Sequence, residues 1–233
     1  MKFNELEKRL IKLKEAGYLK SLRRGPTGIG HLVETVLGIS ETNLAIPDIG
    51  GRIEIKATRR NINSLITLFT FNRGVWKLKQ SEIINKFGYL DIDGRKALYT
   101  TVNTSSPNSQ GFYIQVDKEK NIIVLKNSIQ DEPIAEWSTY VITGKFMTKL
   151  DRLLLIFAET KIEDGLENFW FNEAYLLEKP TPEKFINAFL NNEILVDIRM
   201  HIKDSGGVRN HGTGFRISEK NLIHLYDKIR KII

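Results

Sequence analysis

The chain has no cysteine, which excludes disulfides and thiolate-bound metal and fits a reducing compartment. Proline is scarce, with six in 233 residues. No apolar run approaches the roughly 18 residues of a membrane-spanning helix. The opening MKFNELEKRL is charged and patterned as a helix, unlike a secretion signal, so the expected location is cytoplasmic, with no membrane partner. Repeats and low-complexity segments are also missing, which excludes solenoid architectures. An apolar content of 41% with 27% charged residues is ordinary for a folded globular protein. What is present in excess is positive charge. Lys and Arg number 35 against 28 Asp and Glu, for a formal charge of +7 and a pI near 9.4, a balance suited to a polyanionic partner.

Local patterning alternates between helix and strand periods. Leu6, Leu10 and Leu13 follow Phe3 at helical spacing, predicting a first helix over 4–16 with Gly17 as its stop. KSLRRGPTGIG reads as a basic loop. A second helix is expected over Gly28 to Leu37, burying Ile29, Leu32, Val33, Val36 and Leu37. SLITLFTF, 64–71, is β-branched and aromatic, as strands are, and a hairpin through ATRRNIN would join it to the strand before. A short helix near 81–89 should precede the hairpin GFYIQVDKEKNIIVLKN, which turns at about Lys118 to Asn121. RLLLIFAET has the continuous apolar character of a buried strand, and FWFNEAYLLE its neighbour. Pro180 and Pro182 introduce a helix to Leu190, followed by the strand EILVDIRM and the short strand GFRI. The stripe Leu222, Leu225, Tyr226, Ile229 and Ile232 predicts a closing helix from Ser218. The sum is a mixed α/β or α+β protein.

The stretch PDIGGRIEIKATRR carries the chemistry. In a strand over 52–58, Glu54 and Lys56 share one face and Ile53, Ile55 and Ala57 the other, with Asp48 just upstream. Phosphodiester hydrolysis needs charge neutralised at the phosphorus, a water activated and a leaving oxygen stabilised. Two carboxylates holding Mg²⁺ with a lysine near the water supply those functions. Mg²⁺ prefers oxygen donors in octahedral geometry, which Asp48, Glu54 and the Ile55 carbonyl can provide. The pattern is PD-(D/E)XK. Taken alone it also fits an edge strand with solvated charges and a Gly50-Gly51 turn.

TGIGHLVETVLG, IPD, IEIK, SLITLFT and RNHGTGFRI, in that order along nearly the whole chain, resemble the MvaI/BcnI family of type II restriction endonucleases, which are similar in fold to the mismatch-repair nickase MutH. The resemblance implies a restriction-endonuclease-like core with a mixed central sheet flanked by helices and two lobes around a DNA cleft. It is one domain over 1–233, with a catalytic lobe mainly in the N-terminal half and a recognition lobe mainly in about 160–233. It implies Asp48, Glu54 and Lys56 as catalytic residues, joined by Glu34 of HLVET. The double glycine makes the Asp-to-Glu interval slightly longer than the family pattern.

By the same resemblance VDIRMHIKDSGGVRNHGTGFRI belongs to the base-reading part, which makes Asp197, Arg199, His211 and Arg216 base-recognition candidates. Arg209 joins them where the family pattern carries a histidine. Arginine pairs bidentately with guanine in the major groove. Their plain alternatives are a strand arginine paired to a carboxylate and a satisfied turn histidine. Arg23, Arg24, Arg59, Arg60, Lys77 and Lys79 are weak candidates for phosphate contacts, and Glu159 for support of the metal site. Trp76, Trp137 and Trp170 are expected as core or interface anchors. The expectation is a monomer using Mg²⁺ and no nucleotide cofactor to cut double-stranded DNA at a short sequence, of CC-x-GG type by resemblance. The alternatives are a strand-specific repair nickase and a non-cleaving DNA-binding module.

Overall fold

A computed structural model describes residues 3–39, 46–60, 64–72 and 75–233. In chain order the elements are α1 (Phe3–Glu15), β1 (Leu19–Lys20), α2 (Gly28–Leu37), β2 (Glu54–Arg59), β3 (Leu65–Phe71), α3 (Gln80–Phe87), β4 (Tyr89–Leu90), β5 (Lys96–Val102), β6 (Phe112–Asp117) and β7 (Ile122–Asn127). They continue with β8 (Gln130–Ser138), α4 (Thr139–Leu150), β9 (Arg152–Glu163), β10 (Leu166–Pro180), α5 (Pro182–Leu190), β11 (Ile194–Ile202), β12 (Val208–Asn210), β13 (Thr213–Ser218), α6 (Glu219–Leu222) and β14 (Tyr226–Lys231). The chain divides into two compact units, Met1–Ile66 with Met147–Thr181 and Glu219–Ile233, and Thr67–Phe146 with Pro182–Ser218.

The first unit is built on a sheet ordered β1-β10-β9-β2, with β14 also paired to β10. β9 has the continuous apolar run of a strand buried on both faces, and Leu153, Leu154, Leu155 and Ile156 are fully buried. β10 covers one of its edges antiparallel and β2 the other in parallel, with Glu54 opposite Leu153 and Lys56 opposite Leu155. Leu6, Leu10 and Leu13 of α1 and Ile29, Leu32, Val33 and Leu37 of α2 pack with Ile55, Leu154, Ile156 and Phe171 in one core. The helix periodicity was thus legible, except that Val36 is exposed.

The second unit holds a six-stranded sheet ordered β3-β13-β11-β5-β4, with β12 on β11, and a three-stranded sheet β6-β7-β8. Its core is aromatic. Phe69 stacks on Phe185 and Phe215, Phe146 stacks on Phe185, and Trp137 meets Phe215 edge-on. The β6-β7 hairpin turns where expected, with Asn121 in the left-handed region at φ 56.

Two expectations are corrected. β2 and β3 do not form a hairpin, because β2 pairs with β9 and β3 joins the other sheet beside β13. β9 needs covering on both edges, whereas Phe69 and Phe71 of β3 are buried in the second unit's core, and neighbourhood in sequence did not outweigh these demands. Part of the turn suggested over ATRRNIN, 61–63, lies outside the described residues. The closing helix is only α6 and one 3₁₀ turn, after which β14 pairs antiparallel with Tyr175–Pro180 of β10. The long strand β10 offers an unpaired backbone edge there, and Tyr226 and Ile229 suit a strand as well as a helix. Each unit is discontinuous in sequence. β9, β10 and β14 belong with Glu54, while 67–146 belongs with the C-terminal segment 182–218.

Candidate active site and polar sheet face

The first unit carries the acidic site. Ile49 and Ile53 bridge, Arg52 N–H donates to Ile49 O at 3.0 Å, and Gly50 and Gly51 adopt φ 58 and 69. Positive φ at both central residues is the type I′ hairpin geometry that glycine makes accessible. This tight turn absorbs the longer Asp-to-Glu interval and brings Asp48 back beside the strand, where Asp48 Oδ2 accepts from Ile55 N–H at 2.8 Å. A strand residue's N–H and C=O leave on the same side. The Ile55 carbonyl therefore faces the β2 edge that β9 does not use, towards Asp48.

Glu54 is 2% exposed. Its Oε1 accepts from Lys56 Nζ at 2.8 Å and lies 3.3 Å from Lys149 Nζ, while Oε2 is buried without a hydrogen-bond partner. Burial pushes its carboxyl pKa above the usual 4.5, with Asp48 adding to the rise and Lys56 and Lys149 opposing it. The Tyr226 phenol, buried nearby and donating to Leu150 O at 2.9 Å, is pushed well above its usual value by burial and by Glu54. The geometry thus unites Asp48, Glu54, Lys56 and the Ile55 carbonyl. Glu34 lies half-buried on α2, the helix that packs on β2. Lys149, in the last turn of α4, was not found from sequence, since nothing in TYVITGKFMTKL marks which lysine reaches a strand nearly a hundred residues upstream.

An all-oxygen donor set of two carboxylates and a carbonyl suits Mg²⁺, and the buried, unpartnered Glu54 Oε2 is the polar atom such an ion would satisfy. Among the described residues no cluster of three or more His, Asp or Glu could hold a metal, so water and phosphate oxygens would have to complete the shell.

Glu159 is not part of this site. It accepts from Asn172 Nδ2 at 2.8 Å and from Tyr18 O–H at 3.3 Å. Arg59 is held bidentately by Glu167, at 2.7 and 2.6 Å, and lies over the Phe169 ring. Arg60 pairs with Glu173 and lies over Phe157. Lys77 pairs with Glu136 and Lys79 with Glu82. Arg24 is exposed and Arg23 half-buried in the loop before α2. Trp137 is a core residue, whereas Trp170 is only half-buried and donates to Lys14 O.

The second unit carries a polar sheet face. Alternation along β11 puts Asp197, Arg199 and His201 on one side and Val196, Ile198 and Met200 in the core on the other. Register adds Thr101 opposite Asp197, Tyr99 opposite Arg199 and Arg209 opposite His201. Asp197, 8% exposed, accepts from Thr101 Oγ1 and from Arg216 Nη1, both at 2.7 Å. Arg216 is therefore a strand arginine paired to a carboxylate, its side chain being 30% exposed.

Tyr99 O–H and His201 Nδ1 lie 2.8 Å apart, and the His201 and His211 rings 5.5 Å apart. Partial burial and the neighbouring Arg209, His201, Arg199 and Arg95 hold His211 below its usual pKa of 6.5, favouring the neutral ring. Gly212, at φ 83, packs so closely on Asn72 and Thr70 that no Cβ fits, which explains the glycine in HGT. The five residues predicted for base reading thus share this face with Tyr99, Thr101 and His201. The period-two spacing of Asp197, Arg199 and His201 could have revealed His201, but nothing in KALYTTV announces β5 as its partner.

The overall architecture is restriction-endonuclease-like. At 28% identity and over 100% of both chains, the structure matches the restriction endonuclease MvaI in its cognate DNA substrate complex with a TM-score of 0.85. Against MvaI in the absence of DNA the TM-score is 0.58, again at 28% identity, with 100% of this chain and 99% of that one covered. No curated protein matches. The sequence profile of the MvaI/BcnI restriction endonuclease family matches residues 7–226, and the chain belongs to that family.

Proposed function

We propose that the chain is a Mg²⁺-dependent type II restriction endonuclease that hydrolyses double-stranded DNA at a short specific sequence, acting as a monomer in the cytoplasm. The observation that carries this reading is Glu54. An almost fully buried carboxylate beside Asp48 and Lys56, with one oxygen unpartnered, is costly to keep and gains a purpose when a divalent ion takes that oxygen. Family membership and the likeness to MvaI, solved with its cognate DNA substrate, support DNA as the substrate.

Asp48, Glu54 and the Ile55 carbonyl would hold the ion. Bound there, Mg²⁺ supplies Lewis acidity at the scissile phosphate and lowers the pKa of a coordinated water. Lys56, on the Glu54 face of β2, orients that water or takes its proton. Asp48 fixes the edge strand through Ile55 N–H, and Glu34 supports the site from α2. On the polar sheet face Arg199, Arg209, His211 and Arg216 donate to base edges, and Asp197 holds Arg216 in place or accepts from cytosine. A CC-x-GG target, rich in guanine acceptors, suits these donors. Arg23 and Arg24 are left as backbone contacts.

The test is digestion of an unmethylated supercoiled plasmid carrying one CC-x-GG site, with Mg²⁺ and then with EDTA. With one catalytic cluster per chain, nicked circles should rise before linear product, at a rate linear in enzyme below saturation. Nicked circles that never become linear would favour a strand-specific nickase, and a gel shift without cutting a binding module. A second-order dependence on enzyme would refute the monomer.

A further inference from the structure

Glu54 receives two ammonium groups on the same oxygen. Lys56 Nζ lies 2.8 Å and Lys149 Nζ 3.3 Å from Oε1, and the two lysine side chains are 23% and 22% exposed. Lys56 belongs to β2 itself, whereas Lys149 comes from α4, so the two cations approach from different elements. One lysine would suffice if its only task were to balance the charge of Glu54. Lys56, however, is also the group placed to serve the attacking water, and although its ammonium has donors for both, the 2.8 Å contact with Oε1 fixes where Nζ sits, so following the water towards the phosphorus lengthens that contact. As it moves, Oε1 of a carboxylate that is 2% exposed loses a hydrogen-bond donor, which a cation on Oε2 does not replace, and a buried acceptor left unsatisfied is costly.

We propose that Lys149 is a positioning residue of the cleavage site, a second ammonium that keeps Glu54 Oε1 paired when Lys56 turns to the attacking water and leaves Oε2 for the metal. The inference rests on the cleavage reading of the site given above. Lys149 touches neither substrate nor water and acts through Glu54 and Lys56. Among the ion pairs of the described residues, Glu54 is its only partner. Without Lys149, Lys56 remains bound to Glu54 and is withheld from the water, while the oxygens that would hold the ion stay in place. Removing a nearby positive charge does not weaken cation binding.

The experiment compares Lys149→Met and Lys149→Arg with the parent and with Lys56→Met. Single-turnover cleavage is measured at saturating Mg²⁺, specific DNA binding in Ca²⁺ by gel shift, and Ca²⁺ affinity of the protein–DNA complex by calorimetry. Lys149→Met should cut about 10- to 100-fold more slowly, the range seen when a supporting residue of a metal site is lost. Its DNA binding should be unchanged and its Ca²⁺ affinity equal or higher. Lys149→Arg, which keeps a cation at the end of the helix, should restore most of the rate. Parental cleavage by Lys149→Met would overturn the proposal. So would Ca²⁺ affinity falling in step with the rate, since Lys149 would then act on the ion's carboxylate and not on the release of Lys56. If Lys56→Met is inactive while Lys149→Met cuts normally, only this inference fails. If Lys56→Met also cuts normally, the cleavage site itself is misassigned.

Discussion

Replacing Glu54 by Gln should destroy cleavage and stabilise the fold. The substitution keeps the shape of the side chain and leaves Oε1 as an acceptor for Lys56 and Lys149. Each bond falls from about 1.5–3 kcal/mol with a charged acceptor to about 0.5–1.5 kcal/mol with a neutral one, roughly 2–3 kcal/mol for the pair. Against this stands removal of the desolvation penalty of a carboxylate that is 2% exposed, which amounts to several kcal/mol in order of magnitude. The raised pKa of Glu54 says that burial, with Asp48 adding to it, outweighs the two lysines, so the net effect is a gain in Tm, at about 2–4 °C for each kcal/mol in a chain of this length.

The pH dependence follows from the same direction. An acid whose folded pKa lies above its unfolded value costs no stability below the ordinary 4.5, loses it as pH rises from there through the folded pKa, and keeps that deficit above. The Tm advantage of Glu54→Gln should therefore be absent below 4.5 and open as pH rises through that window. Thermal melts of both proteins in EDTA across that range measure it. A variant that melts several degrees below the parent near neutral pH would refute the reasoning, because pairing with the lysines would then outweigh burial.

Asp48→Ala and Lys56→Ala should each abolish plasmid cleavage while gel shifts in Ca²⁺ show specific binding intact, whereas Glu34→Ala should keep residual activity. Arg216→Ala and His211→Ala should each weaken specific binding by about 1–3 kcal/mol with little change on random DNA; equal losses on both would remove them from the reading set. Arg59→Ala should lower Tm by removing the bidentate partner of Glu167 and leave the slope of DNA affinity against salt unchanged, where a phosphate contact would make it shallower.

The candidate catalytic strand was readable because its chemistry is local. Six residues from Glu54 to Arg59 form β2, and the two-residue period alone puts Glu54 beside Lys56. Asp48 needed only the glycine turn. The α1 and α2 stripes were equally local, and both helices lie where periodicity put them. What could not be read was pairing at a distance. Lys149 reaches Glu54 from α4, β2 pairs with β9 despite the long stretch of sequence between them, and Tyr99 faces Arg199 by register between β5 and β11. The helical stripe Leu222 to Ile232 misled because β-branched and aromatic residues satisfy both periods over so short a span, and only the open edge of β10 decided between them.

The first unit is assembled from three separated stretches of chain, and its sheet includes β14 beside β10. Its order of manufacture matters for a protein that cuts DNA. At about 5–20 residues per second of synthesis, Glu54 and Lys56 leave the ribosome roughly 10–30 s before Tyr226, whose buried ring lies by Glu54. Throughout that interval the acidic strand exists without the strand that follows Tyr226, and the sheet depends on contacts spanning almost the entire chain, which form slowly. The nascent chain therefore carries Glu54 and Lys56 long before Tyr226, and the sheet that holds β2 is complete only when synthesis has delivered its last strand to β10.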